Sequence, residues 1–260
     1  MKDLNTLFRK RIGFPEGKKL SFENLSEVLE KTARTIPFEN LCIMKNNNSP
    51  ITKENLIEKI LVGEEGGLCY EINPTVYLFL QEDGFNVSLV SGVVYNQTTK
   101  DWSATGRTHV AIILEHAGKR FLLDSGFGSN LPLVPVPLDG KEVSSSNGEF
   151  RIKQTVHEFG DFLLEMKRKD KDEDWVVGYI FDSGSTVEQL SDLGMMQKTI
   201  IESEHSSFNK GPLITKITEK GNMTLTATSF TVWNEGKMTK EEIDEERFIE
   251  LSEQHFGVRY

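Results

Sequence analysis

Along the first 85 or so residues the apolar positions recur at helical spacing. In "SFENLSEVLEKTARTIP" Phe22, Leu25, Val28 and Leu29 fall on one face, and the helix they predict must stop before Pro37. "TKENLIEKILV" repeats the pattern behind Thr52, a candidate N-cap. In "NPTVYLFLQEDG" Asn73 and Pro74 read as a cap and first helical residue, with Gly84 as the stop. From about Phe85 the period changes to that of strands, in "FNVSLVSGVVYN", "RTHVAIIL", "KRFLLDSG", "RIKQTVHEF", "FLLEMKRK" and "DWVVGYIF". "PVPLDGKEVSSSNGEF" reads as an exposed loop, and the charge run "KRKDKDED" as a solvated hairpin turn.

Ser185 and Glu188 have capping-box spacing ahead of "VEQLSDLGMMQKTII", which predicts a helix there. Strands follow in "LITKITEKGNMTLTATSFTVW", and Thr239 with Glu242 predicts a last helix in "TKEEIDEERFIELSEQHFG". The order is helices, then strands, then a mixed end. Without steady alternation of strand and helix, a doubly wound nucleotide fold is excluded in favour of an α+β arrangement.

Composition narrows the function. A chain of 260 residues can bury a sizeable core without disulfides or metals. With 37% hydrophobic and 27% charged residues, no long apolar run and a charged "MKDLNTLFRKR" at its start, it reads as soluble, without signal peptide or membrane span. Two cysteines form no disulfide framework and give no paired zinc-ligand spacing, so free thiols in a reducing cytosol and no metal site are expected. A formal charge of -10 argues against a nucleic-acid partner, though not against a small anionic ligand held by local cations.

Cys69, separated from Gly66 and Gly67 only by Leu68 in "GEEGGLCYEIN", is the candidate nucleophile. A reactive thiolate needs a neighbouring imidazole, cation or helix N-terminus, and a helix starting at Cys69 rather than Asn73 would supply the last at the cost of Pro74 inside it. A free cysteine is equally at home as a small buried hydrophobe, which is the reading for Cys42 among Leu41, Ile43 and Met44. Of the five histidines, His109 has the best geometry. "HVAIILEHAGKRFLLDSG" reads as two strands joined at Ala117 and Gly118. A two-residue loop puts Asp124 opposite Ala111, with His109 and Asp124 as diagonal neighbours on one face, about 7–8 Å apart and within reach of each other. Val110, Ile112, Leu114, Phe121 and Leu123 then point the other way. A three-residue loop would separate His109 and Asp124 onto opposite faces.

"IPFENL", "GGLCYEIN", "ATGRTHVAIIL" and "FLLDSGFGS" stand in the order and near the spacings of the arylamine N-acetyltransferases, and the chain resembles that family, in its bacterial form, through nearly its whole length, "HSSFNKGPLI" included. The resemblance implies a helical bundle over 1–85, a central antiparallel β-barrel over 86–195 and an α/β lid over 196–260, around a cysteine-protease-like catalytic core. It implies Cys69 as nucleophile, His109 as base and Asp124 as orienting acid. Acetyl-coenzyme A would be the acyl donor and an arylamine or arylhydrazine the acceptor. It also places Phe38 and Phe127 at the aryl substrate, and Thr105, Gly106, Gly126, Phe127 and Gly128 at the coenzyme; Arg107 is either a phosphate contact or a solvated turn cation. Two other readings remain, an amide synthase with a larger acyl donor and a weakly active homologue that only binds. The second is kept open by Glu65, because the chain reads "EGGLC" where the family usually has "RGGxC".

Overall fold

The computed structural model describes residues 3–260; Met1 and Lys2, which begin the charged opening stretch, lie outside it. The helices are α1 (Leu4–Ile12), α2 (Leu25–Thr35), α3 (Leu41–Met44), α4 (Lys53–Leu56, continued by a π-helical turn Ile57–Val62), α5 (Cys69–Glu82), α6 (Leu193–Glu202) and α7 (Glu245–Leu251). The strands are β1 (Phe38–Glu39), β2 (Asn86–Asn96), β3 (Asp101–His116), β4 (Lys119–Leu123), β5 (Val136–Pro137), β6 (Val143–Ser145), β7 (Gly148–His157), β8 (Gly160–Arg168), β9 (Val176–Thr186), β10 (Leu213–Ile217), β11 (Gly221–Thr226), β12 (Ser229–Asn234) and β13 (Lys237–Glu242).

Eight strands form one antiparallel sheet in the order β5-β4-β3-β2-β9-β8-β7-β6, and β5 packs against β7 so that the sheet curls into a nearly closed barrel. From Thr108 to Leu114, β3 is buried on both faces. Val110, Ile112, Leu114 and Leu123 pack against the helices of the first third, whereas Ala111, Ile113 and Leu122 point into the barrel interior. This alternation is what a pleated strand between two apolar layers requires. A second sheet, β1-β10-β11-β12-β13, packs on α7 around Ile214, Leu225, Phe248 and Leu251. Its first strand comes from the helical third of the chain, since Phe38 pairs with Thr215 and Glu39 with Ile214.

Several local expectations change. α5 starts at Cys69, not Asn73, and Pro74 lies inside it. The missing N–H costs about 3 kcal/mol. Against that, Tyr70, Ile72, Val76, Phe79 and Leu80 are each at most 1% exposed, and burying such a side chain gains about 1.5–3 kcal/mol. Ser185 lies in β9, because Thr186 pairs with Val90 and the Val187 N–H donates to the Leu89 carbonyl; the helix begins only at Leu193. Thr239 and Glu242 lie in β13, zipped to β12, and the last helix is capped instead by Asp244, whose carboxylate accepts from the Arg247 N–H. The stretch from Pro135 contributes β5 and β6 to the barrel, with Val136 fully buried, so it is not wholly a solvent loop. Cys42 is half-buried rather than core, with its thiol 3.8 Å from a Glu65 carboxylate oxygen. Burial and three nearby carboxylates, only partly countered by Lys59, push that thiol up to about 11.

Candidate active site

The turn between β3 and β4 fixes the site. Pairing runs Ile112 to Leu123, Leu114 to Phe121 and His116 to Lys119, the register of a two-residue loop at Ala117 and Gly118. His109 and Asp124 therefore share the barrel-interior face, and His109 Nε2 lies 2.7 Å from Asp124 Oδ2. Both are buried, at 3% and 1% exposure.

Asp124 is held by three further donors. Asn73 Nδ2 and the Gly126 N–H reach Oδ1 at 2.9 and 2.8 Å, and the Tyr179 hydroxyl donates to Oδ2 at 2.9 Å. Burial alone would raise the carboxyl, but the His109 charge and these hydrogen bonds hold it below the ordinary carboxylate range. Burial of Tyr179, together with the Asp124 charge, pushes its phenol far up, so it remains a donor. For His109 burial opposes the charge, yet the Asp124 carboxylate and the contact with Cys69 win and raise it to about 10.

Cys69 comes from the other layer. It is the first residue of α5, where free N–H groups favour negative charge, and the first backbone bonds of the helix come from Glu71 and Ile72. Its thiol donates toward the Thr108 carbonyl at 3.4 Å, next to His109 in the chain. With Nε2 engaged by Asp124, the other ring nitrogen of His109 is the one left for Cys69. Gly126 closes the site from the far side: a Cβ there would come within 2.7 Å of Cys69 Cα and 2.8 Å of Asn73 Nδ2, so no other residue fits without displacing the helix.

A cavity of about 250 Å³ opens onto Cys69 and His109. Its walls include Phe38, Phe127, Phe208, Val94 and Thr105. Phe127 stands 5.0 Å from the His109 ring, and Phe38 meets Phe208 edge-on at 5.6 Å. The arrangement is a buried thiol, imidazole and carboxylate in sequence, with flat apolar surfaces around the sulfur. Such a set can form and discharge a covalent acyl intermediate.

Solved structures bear on this constellation. An arylamine N-acetyltransferase from Bacillus cereus superposes with a TM-score of 0.94 at 44% identity, covering 100% of both chains. The N-acetyltransferase family model matches residues 21–260. The chain is a member of the arylamine N-acetyltransferase family. Arylamine N-acetyltransferase C of Bacillus anthracis is 37% identical with a TM-score of 0.93 over 99% of each chain. An uncharacterized acetyltransferase of Bacillus subtilis, YvcN, is 39% identical over 95% of both. The α+β fold, with its nearly closed barrel and cysteine-protease-like core, is that of this acetyltransferase family. The Bacillus cereus enzyme is described as having a unique Cys-His-Glu catalytic triad. In the present arylamine N-acetyltransferase family member, the carboxylate on His109 is Asp124.

The remaining positions divide. Phe38, Thr105, Gly126 and Phe127 line the cavity. Gly106 and Gly128 do not; Gly106 lies within β3 with φ of +67°, and Gly128 in a turn with φ of +60°. Arg107 is half-buried and donates to the Glu158 carbonyl at 3.3 Å. The sequence reading missed Asn73, Tyr179 and Phe208. The cap pattern puts Asn73 at a helix start, but it sits fully buried within α5, also donating to the Val110 carbonyl and accepting from the Ser125 N–H. A polar side chain in an otherwise apolar helical stretch was the available signal. Among the described residues no helix is long and apolar enough to cross a membrane, and no His, Cys, Asp and Glu cluster is arranged to hold a metal.

Proposed function

We propose that the protein transfers an acetyl group from acetyl-coenzyme A, through a thioester on Cys69, to the nitrogen of an arylamine or arylhydrazine. The observation that carries this reading is the buried contact chain from Cys69 through His109 to Asp124, opening onto a cavity walled by Phe38, Phe127 and Phe208. In the first half-reaction the Cys69 thiolate attacks the thioester carbonyl, and coenzyme A leaves with the proton held on His109. In the second, the amine nitrogen attacks the acetyl-cysteine, His109 takes the nitrogen's proton, and the Cys69 sulfur leaves as thiolate. Two steps spare the site from holding donor and acceptor together.

Both steps pass through a tetrahedral oxyanion, and the Cys69 N–H at the start of α5 is the donor we assign to it. Asp124 fixes the His109 ring and stabilises its charged form, the role of the third member of a triad. Thr105, Gly126 and Phe127 on the cavity wall would meet the coenzyme, and Phe38 and Phe127 the aryl ring. A cavity of about 250 Å³ suits an acetyl group beside one ring better than the large acyl chain of an amide synthase. Both cysteines are free, as a cytoplasmic enzyme would keep them.

The test is mass spectrometry of the intact protein after brief exposure to acetyl-coenzyme A without amine. The expected result is a gain of one acetyl group, absent in Cys69→Ala and discharged by an added arylamine. Acetylation that persists in Cys69→Ala, or an adduct no amine removes, would sink the reading.

A further inference from the structure

The loop that delivers Cys69 carries Glu64 and Glu65, both exposed, and no cation of its own. Its support comes from beneath. Lys59, in the π-helical turn after α4, has a side chain only 15% exposed, and its ammonium lies 2.6 Å from Glu71 Oε1 and 3.8 Å from Glu39 Oε1. Each carboxylate spends its other oxygen on the backbone of a functional wall. Glu71 Oε2 accepts from the Leu68 N–H at 3.0 Å, one residue before Cys69. Glu39 Oε2 accepts from the Leu41 N–H at 2.5 Å, and Glu39 follows the cavity residue Phe38.

The two walls also meet directly. The Glu39 N–H donates to the Gly67 carbonyl at 3.0 Å, and the Gly67 N–H to the Pro37 carbonyl at 3.2 Å. Gly66 is pressed so close to this strand that a Cβ would fall 2.1 Å from the Pro37 carbonyl oxygen. Two carboxylates buried in such a contact repel each other and lose hydration; burial raises the Glu39 carboxyl, and the Lys59 ammonium works against that rise and favours its charged form. Other cations around this loop are used elsewhere: Arg11 on the Glu64 and Ile60 carbonyls, Lys45 on the Arg259 carbonyl and Arg259 on Glu253.

We propose that Lys59 is the positioning residue that sets Cys69 against Phe38, its ammonium bridging Glu71 under the nucleophile and Glu39 under the aromatic wall. The inference rests on the acyl-transfer reading for its consequence, but not for its geometry. It also gives Glu65 a role: its carboxylate acts on Glu39, one of the two carboxylates that Lys59 bridges, so a cation at position 65 would act on that same carboxylate.

The experiment compares Lys59→Met, Lys59→Arg and the double variant Lys59→Met with Glu65→Arg. Two rates are read: alkylation of Cys69 by iodoacetamide, separated from Cys42 by peptide mapping, and thioester formation from acetyl-coenzyme A. Lys59→Met should slow both by about tenfold or more, the scale of a small misplacement of a reacting group. Lys59→Arg should stay close to the parent, and Glu65→Arg should restore much of the loss. A Lys59→Met protein that alkylates at the parent rate, or a loss that neither cation repairs, overturns the proposal. Should Lys59→Met fail to fold, Glu71→Gln weakens the same bridge and must slow alkylation. A normal rate there is equally fatal. Parent protein that alkylates at Cys69 but takes no acetyl group would defeat the acyl-transfer reading alone.

Discussion

Two hairpins in this molecule have nearly the same turn and opposite importance. Ala117 and Gly118 join β3 to β4 with φ of +49° and +75°; Glu235 and Gly236 join β12 to β13 with +50° and +77°. Both are two-residue loops with two left-handed positions, the geometry whose twist matches a right-handed strand pair. In the first hairpin the register decides which groups enter the barrel, and with them the meeting of His109 and Asp124. In the second every residue of β13 is exposed, so the same register positions nothing buried on that strand. A turn fixes register in both places, and burial alone determines what the register is worth.

The largest test of that contrast is to insert one glycine into each turn. Between Ala117 and Gly118 it breaks the parity of β4 against β3 and should reduce acetyl transfer by about 10³-fold or more, the scale on which a triad fails. Between Glu235 and Gly236 the transfer rate should change less than about twofold, because the strand it shifts has both faces in water. Equal losses from the two insertions would break the comparison.

A smaller perturbation keeps the backbone and changes one carboxylate in each hairpin. Asp124→Asn should lower the transfer rate by about 10²–10⁴-fold, since the amide disturbs the charge and tautomer of His109. Glu241→Gln on the exposed strand should leave it unchanged. Steady-state rates check both, and a near-normal Asp124→Asn enzyme would mean that His109 works without this partner.

The smallest effect is on stability. The fold raises His109 from the ordinary 6.5 to about 10. Its charge therefore contributes fully below about pH 6.5 and is lost as pH rises through about 10. Asp124 is depressed, so its contribution is present above its ordinary 3.8 and lost on acidification. The melting-temperature gap between parent and His109→Gln should thus narrow from neutral pH to about pH 10.5. A gap constant over that range would show that the buried imidazole is not charged.

Much of the site was legible in the chain because its signals are local. The spacing of "HVAIILEHAGKRFLLDSG" carries the strand pair, the turn and the shared face together, and Gly66 and Gly67 before Cys69 mark a close backbone approach that the Pro37 carbonyl explains. Where local rules competed, they misled. Asn73 with Pro74 satisfies the cap pattern, but the helix starts four residues earlier, burying Tyr70 and Ile72 in its first turn and making Asn73 a hydrogen-bond donor to Asp124. Thr239 and Glu242 have capping-box spacing, but pairing to β12 and the better cap at Asp244 put them in a strand.

The chain alone carries the broad run from helices to strands to a mixed end, the net charge of -10 and, given a two-residue turn, the register that lets His109 reach Asp124. It took the folded molecule to settle that turn, to bring Tyr179 and Asn73 around Asp124, to set Phe208 beside Phe38 at the cavity, and to place Lys59 between Glu39 and Glu71. The reason is physical. Register and capping act over a few residues and leave a periodic trace in the chain, whereas a buried hydrogen bond or ion pair depends on which distant layers exclude water from the same point.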